Sequence, residues 1–180
     1  MRMIQTVDMK IFLMLLTVSF LSTISAHAKG EKRPPISITF HFEATGVEGK
    51  KFAVPVETQL GKRFIQKVPS ISTKDIIAYY PFVSPHPDGQ YGVSLQLNSV
   101  AAKRLSMLAA QNKGRYIVAN INGKVVDMLF IDKQVDGRVI TIWRGIDPNF
   151  LAYVNPIMPK IGEKKKDWKK RIKAEKKKKK

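Results

Sequence analysis

Between positions 91 and 145 the sequence alternates, breaks for one helix and then alternates again, and this pattern narrows the fold furthest. "YGVSLQL" sets Val93, Leu95 and Leu97 on one side, the period of two that a half-buried strand needs. "VAAKRLSMLAAQN" switches to a helical period, with Ala101, Leu105, Leu108, Ala109 and Asn112 on one face. Asn98 or Ser99 suits the N-cap, and Gly114 supplies the left-handed residue that ends a helix. Lys113 and Arg115 lie near the negative end of its dipole. "RYIVANI" and "KVVDMLFI" flank Asn122-Gly123, a strong signal for a two-residue hairpin. "RVITIWRG" follows Asp136-Gly137 as a last strand.

The residues upstream add strands. "ISITFHFE" points Ile36, Ile38, Phe40 and Phe42 inward and Ser37, Thr39, His41 and Glu43 outward. "FAVPV" repeats the pattern with Phe52, Val54 and Val56 inward, and Pro55, which has no N–H, favours a sheet edge. "RFIQKV" returns as a third strand, and "DIIAYYPFV" pairs with "YGVSLQL" across the loop "SPHPDG". Asp147 and Pro148 open a short helix reaching Val154. Strands, one clear helix and more strands, joined by hairpins, imply an α+β fold: a mostly antiparallel sheet with one main helix packed on one face.

The two ends differ from this middle. Lys10, the apolar run "IFLMLLTVSFL" and Ala26-His27-Ala28 have the layout of a secretory signal peptide over residues 1–28. The apolar run is shorter than the roughly 20 residues a spanning helix needs. An uncleaved anchor is the alternative, and Met9 would make a cleaner start than Met1 because Asp8 is unusual in such a leader. Residues 29–35 form a flexible lead-in to one domain over 36–159. Residues 160–180 carry 13 basic and 3 acidic side chains, +10 of the total net charge of +18. That run reads as a disordered or partly helical polybasic tail. If helical, it would present Trp168 and Ile172 as an apolar edge among lysines, suited to docking at an interface.

Export makes nucleic acid an improbable partner and directs the tail toward envelope polyanions: an anionic membrane surface, lipopolysaccharide or a wall polymer. The chain has no cysteine, so neither disulfides nor thiol chemistry are available to it. The tail residues expected to bind are Lys164, Lys165, Lys166, Trp168, Lys169, Lys170, Arg171 and Lys173. Tyr79, Tyr80, Phe82 and Tyr91 cluster near the long loop, with Tyr79 and Tyr91 as the further binding candidates. Arg138 and Arg144 bracket Trp143 and offer a place for an anionic group.

Catalytic patterns are sparse. His41 lies on the outward face of its strand, and His86 lies between two prolines with no metal-ligand spacing around it. His86, Asp88 and a distant serine make a nominal triad, the basis for an alternative reading as a small exported hydrolase. Asp127, Asp132 and Asp136 are irregularly spaced, and Asp127 is expected to point outward. No catalytic residue, cofactor or metal is assigned, and the chain is read as not an enzyme.

The segment over residues 93–146 resembles the head subdomain of the first periplasmic region of SecD and SecDF. The resemblance rests on the strand ending at Leu97, the helix leading to Gly114, the strand before Asn122, the Gly123-Lys124 hairpin and a last strand closing on Gly145. "KVPSIST.DI", "DG.YG" and "IDK.VDG" with its closing "I.RG" also resemble a family of small secreted proteins. The SecD resemblance implies a head-subdomain-like second half that touches extended polypeptide outside the membrane. The acidic residues of that family lie in its membrane helices, and no functional residue carries over. The expectation is therefore a secreted or periplasmic non-catalytic binding module for an envelope protein, an extended polypeptide or an anionic polymer. A nucleic-acid binder is the alternative if the leader is misread.

Overall fold

A computed structural model describes residues 36–45, 49–86, 91–133, 135 and 137–178. The expected leader, cleavage site and lead-in, with Asp88 and Asp136, fall outside the described residues. Among the described residues there are nine strands: β1 (Ile38–Phe42), β2 (Ala53–Thr58), β3 (Gly61–Gln66), β4 (Ile71–Ser72), β5 (Ile76–Val83), β6 (Tyr91–Leu97), β7 (Tyr116–Ile121), β8 (Lys124–Phe130) and β9 (Val139–Ile146). The helices are α1 (Gly49–Phe52), α2 (Ser99–Gln111), α3 (Pro148–Val154) and α4 (Lys165–Lys178). Four strands run in the order β4-β1-β7-β8, three in the order β5-β6-β9, and β2 with β3 forms a separate hairpin. All these pairings are antiparallel, so the fold is α+β. The single sheet expected is divided into three, and α2 connects β6 of one sheet to β7 of another.

Local chemistry fixes the main elements. Asn98 caps α2 by accepting a 2.9 Å hydrogen bond from the Ala101 N–H, satisfying one of the helix's unpaired donors. Ala101, Leu105 and Ala109 turn inward and are fully buried against both larger sheets, together with Ile38 and Phe40 of β1 and Leu95 of β6. Asn122 (φ +52°) and Gly123 (φ +83°) form the tight β7–β8 turn. The turn is also tied to the start of the domain, because Asn122 accepts a 2.9 Å bond from the Ser37 N–H. Asp147 caps α3 by accepting from the Asn149 N–H at 2.6 Å. In "KVPSIST.DI", Asp75 accepts the Ser72 N–H at 2.9 Å and pairs with Arg104 of α2, also at 2.9 Å.

Three side chains are placed differently from the expectation. His41 is buried, because the β2–β3 hairpin lies over the face of β1 that was expected to meet solvent. Its Nδ1 is 2.8 Å from the Gln66 carbonyl, which can only accept, so Nδ1 carries the proton and Nε2 is left to accept from Thr39 Oγ1 at 3.0 Å. Burial lowers the pKa of the ring and favours this neutral form. Asn120, in the same row as Thr39, is buried with no partner for its Oδ1 among the described residues. An orphaned acceptor of this kind costs about 1–3 kcal/mol. Phe52 was expected inward but is 60% exposed, since it ends α1 and lies outside β2, which begins at Ala53.

The third is Asp127. A register shift in the β7–β8 ladder sets it opposite buried Ala119, so it faces the interior rather than solvent. Its two oxygens accept the N–H groups of Met128 at 2.9 Å and Trp143 at 2.7 Å, and Arg144 Nε is 3.5 Å away. This carboxylate therefore joins β8 to β9 across the two larger sheets. Gly145 completes the junction at φ +77°, where a Cβ would fall 2.8 Å from the Val126 carbonyl oxygen.

Candidate binding surface

The C-terminal segment is built onto the domain through Asn155, the residue after α3. Tyr79, 2% exposed, donates its hydroxyl to Asn155 Oδ1 at 2.9 Å. Asn155 donates through Nδ2 to Glu175 Oε2 at 2.8 Å, and its carbonyl accepts the Trp168 indole N–H at 3.2 Å. Arg171 donates from Nε and Nη2 to the two oxygens of Glu163, each at 2.8 Å. It also bonds Asn155 Oδ1 and lies 3.4 Å from Glu175, four residues on. The chain leading to α4 is held too: Tyr79 N–H donates to the Pro159 carbonyl at 3.1 Å, and Ile161 N–H donates to the Tyr79 carbonyl at 2.8 Å.

The electrostatics follow from these contacts. Arg171 favours the charged form of Glu163 and lowers its pKa to about 2, and Glu163 raises that of Arg171 in return. Burial raises the pKa of the Tyr79 phenol and keeps it a hydrogen-bond donor. One side of α4 is thereby occupied: Trp168, Arg171, Ile172 and Glu175 are half-buried. At 100° per residue the opposite side carries Lys166, Lys169, Lys170, Lys173 and Lys177, all exposed. This lysine stripe runs over twelve residues, Lys166 to Lys177, about 17 Å of helix.

The candidate residues separate accordingly. Lys164, Lys165, Lys166, Lys169, Lys170 and Lys173 are exposed. Trp168 and Arg171 are engaged with the protein's own groups, so the apolar edge at Trp168 faces the domain instead of an external interface. Tyr79 is a buried anchor for the tail and cannot serve as a surface contact. Tyr91 is half-buried against the core. The domain boundary expected after Pro159 is not where the contacts stop, since Glu163, Arg171 and Glu175 all belong to the docking network. Glu163, Glu175 and Asn155 were missed; of their contacts, only the Arg171–Glu175 spacing is readable from sequence.

The other polar candidates stay apart. His86 is exposed, with its N–H donated to Ser84 Oγ at 3.1 Å. Arg144 leaves the exposed side of β9 to meet Asp127 and Gln59, and does not bracket Trp143. Among the described residues no three His, Cys, Asp or Glu side chains form a group able to hold a metal ion. None of the described helices is long and apolar enough to cross a membrane.

No family model matches this chain, and no curated protein matches it. Among the solved structures similar over part of its length are two of SecDF. One is a crystal structure of SecDF in a super-membrane-facing form, with 14% identity and a TM-score of 0.43 over 61% of this chain and 16% of that one. The other is SecDF described as a membrane component that enhances protein export, with 14% identity and a TM-score of 0.46 over 66% of this chain and 59% of that one. The chain thus spans less than two thirds of either protein's length. Likeness at this level concerns the path of the chain, and the α+β assignment rests on the sheets and helices themselves.

Proposed function

We propose that this protein is an exported, non-catalytic binding module that presents the lysine stripe of α4 to a phosphate-bearing envelope surface such as anionic lipid headgroups or lipopolysaccharide. One observation carries the reading: the helix has one side fixed to the domain through Trp168 and Arg171, while its other side presents five exposed lysines. Lysines four residues apart repel one another along a helix, at a few tenths of a kcal/mol per pair. An anionic surface removes that repulsion and gains roughly 1 kcal/mol for each lysine brought near it. Five engaged lysines thus supply on the order of 5 kcal/mol, and docking means that the helix is already ordered before binding. The experiment is co-sedimentation of the protein with vesicles of anionic or zwitterionic phospholipid. Retention by the anionic vesicles alone, reversed by salt, is the expected result; equal retention by both contradicts the proposal.

A further inference from the structure

The three-stranded sheet has a second face unlike the rest of this basic chain. Tyr79, Val93, Leu95, Ile140 and Ile142 point into the core, so their neighbours along β5, β6 and β9 point away from it. In a half-solvated antiparallel sheet that outer face is ordinarily polar. Here it carries three aromatic rings. Tyr80 is 54% exposed and Trp143 is 49% exposed, and between them Phe82 meets Trp143 edge-on with ring centroids 5.7 Å apart. Phe82 lies across bare backbone: a Cβ at Gly92, its cross-strand partner, would fall 2.4 Å from the ring. Gly92 is thus the residue that lets the ring lie down on the sheet.

The polar groups beside the rings are uncharged. Tyr80 pairs across to Ser94 and Ser94 to Thr141, and the two hydroxyls are 3.1 Å apart. Gln96 follows on the same face beside Val139, which is 43% exposed. None of these side chains is charged at neutral pH, although the chain as a whole is +18. An anionic membrane or polymer would be met by lysine or arginine, and none of these outward strand residues on the face is either. Its chemistry is aromatic surface interleaved with hydroxyl and amide groups, which complements a sugar ring: an apolar C–H face against the aromatics, with hydroxyls at the rim to reach Ser94, Thr141 and Gln96.

We infer that the outer face of β5-β6-β9 is a docking platform for an uncharged polysaccharide, with Tyr80, Phe82 and Trp143 as the stacking surface. It is separate from the lysine stripe and takes a different ligand. The test is a pull-down of the full chain on insoluble chitin, cellulose and β-1,3-glucan at high ionic strength, which screens the lysine stripe. Retention on at least one of these glycans is expected, weakened about tenfold by Trp143→Ala or Tyr80→Ala with the melting temperature unchanged. In a Trp168→Phe background, Trp143 is the remaining tryptophan, and its emission should shift as that glycan's soluble oligosaccharide is added. Three results overturn the inference: no retention on any of the three, retention indifferent to both substitutions, or a self-associated protein that Trp143→Ala converts to monomer. The last would mean that a second copy covers the face.

Discussion

Arg171 holds both carboxylate oxygens of Glu163 at 2.8 Å, so the basic end of the chain is attached to the domain by one of its own arginines. A fork of two parallel, charge-assisted bonds is stronger and more directional than a single lysine contact. Arg171→Ala should therefore release α4 and lower the melting temperature, whereas Lys169→Ala should leave it unchanged. Circular dichroism and a thermal melt compare the two. Equal melting temperatures would mean that the helix is not held through Arg171.

The same pair sets an acid limit. Glu163 has its pKa lowered from 4.5 to about 2 by Arg171, so its contribution to stability is fully present above 4.5 and is lost as pH falls toward 2. Docking of α4 should persist at pH 5 and weaken progressively below 4.5. Trp168 fluorescence in a Trp143→Phe background would follow this, and Glu163→Gln should remove the transition.

His41 gives a separate pH dependence. Its pKa is lowered by burial, so the unfolded chain takes up a proton near 6.5 that the folded protein resists. Stability contributed by the neutral ring is present above 6.5 and falls as pH drops below it, until the folded pKa is reached. The melting temperature should be lower at pH 5 than at pH 7.5, and His41→Gln should flatten that difference.

Asp127 and Leu105 test the interior. Asp127→Ala leaves the N–H groups of Met128 and Trp143 without acceptors, at roughly 1–3 kcal/mol each, and should lower stability by about 2–6 kcal/mol in urea titration. Leu105→Asp places an unpaired carboxylate at a fully buried position of α2, at a cost of several kcal/mol. Lys103→Asp, on the exposed side, should be close to neutral.

The contrast between these sites marks how far the sequence was legible. Asn98, Asn122-Gly123 and Asp147 act through their own backbone or that of near neighbours, and their roles follow from local chemistry alone. The alternation of β1 correctly identifies Ile38, Phe40 and Phe42 as core. What alternation cannot tell is whether the second face is covered as well, and so it misplaces His41, which lies beneath a hairpin. Asp127 was misplaced because a register shift in β8 moves it to the inner face. Tyr79 and Arg171, 92 positions apart, meet through Asn155, and composition reads the lysine-rich run around Arg171 only as a solvated tail. Long-range docking was the part that local patterns could not carry.

On the proposed function, the free face of α4 binds an anionic surface while its other face holds the helix in place. The most direct measurement is partition onto anionic phospholipid vesicles of a variant carrying Lys166→Glu, Lys169→Glu, Lys170→Glu and Lys173→Glu, beside the unaltered protein. At roughly 1 kcal/mol per lysine, binding should fall by at least about 100-fold, with the melting temperature preserved because none of the four belongs to the docking network. Undiminished binding by the charge-reversed protein would contradict the account.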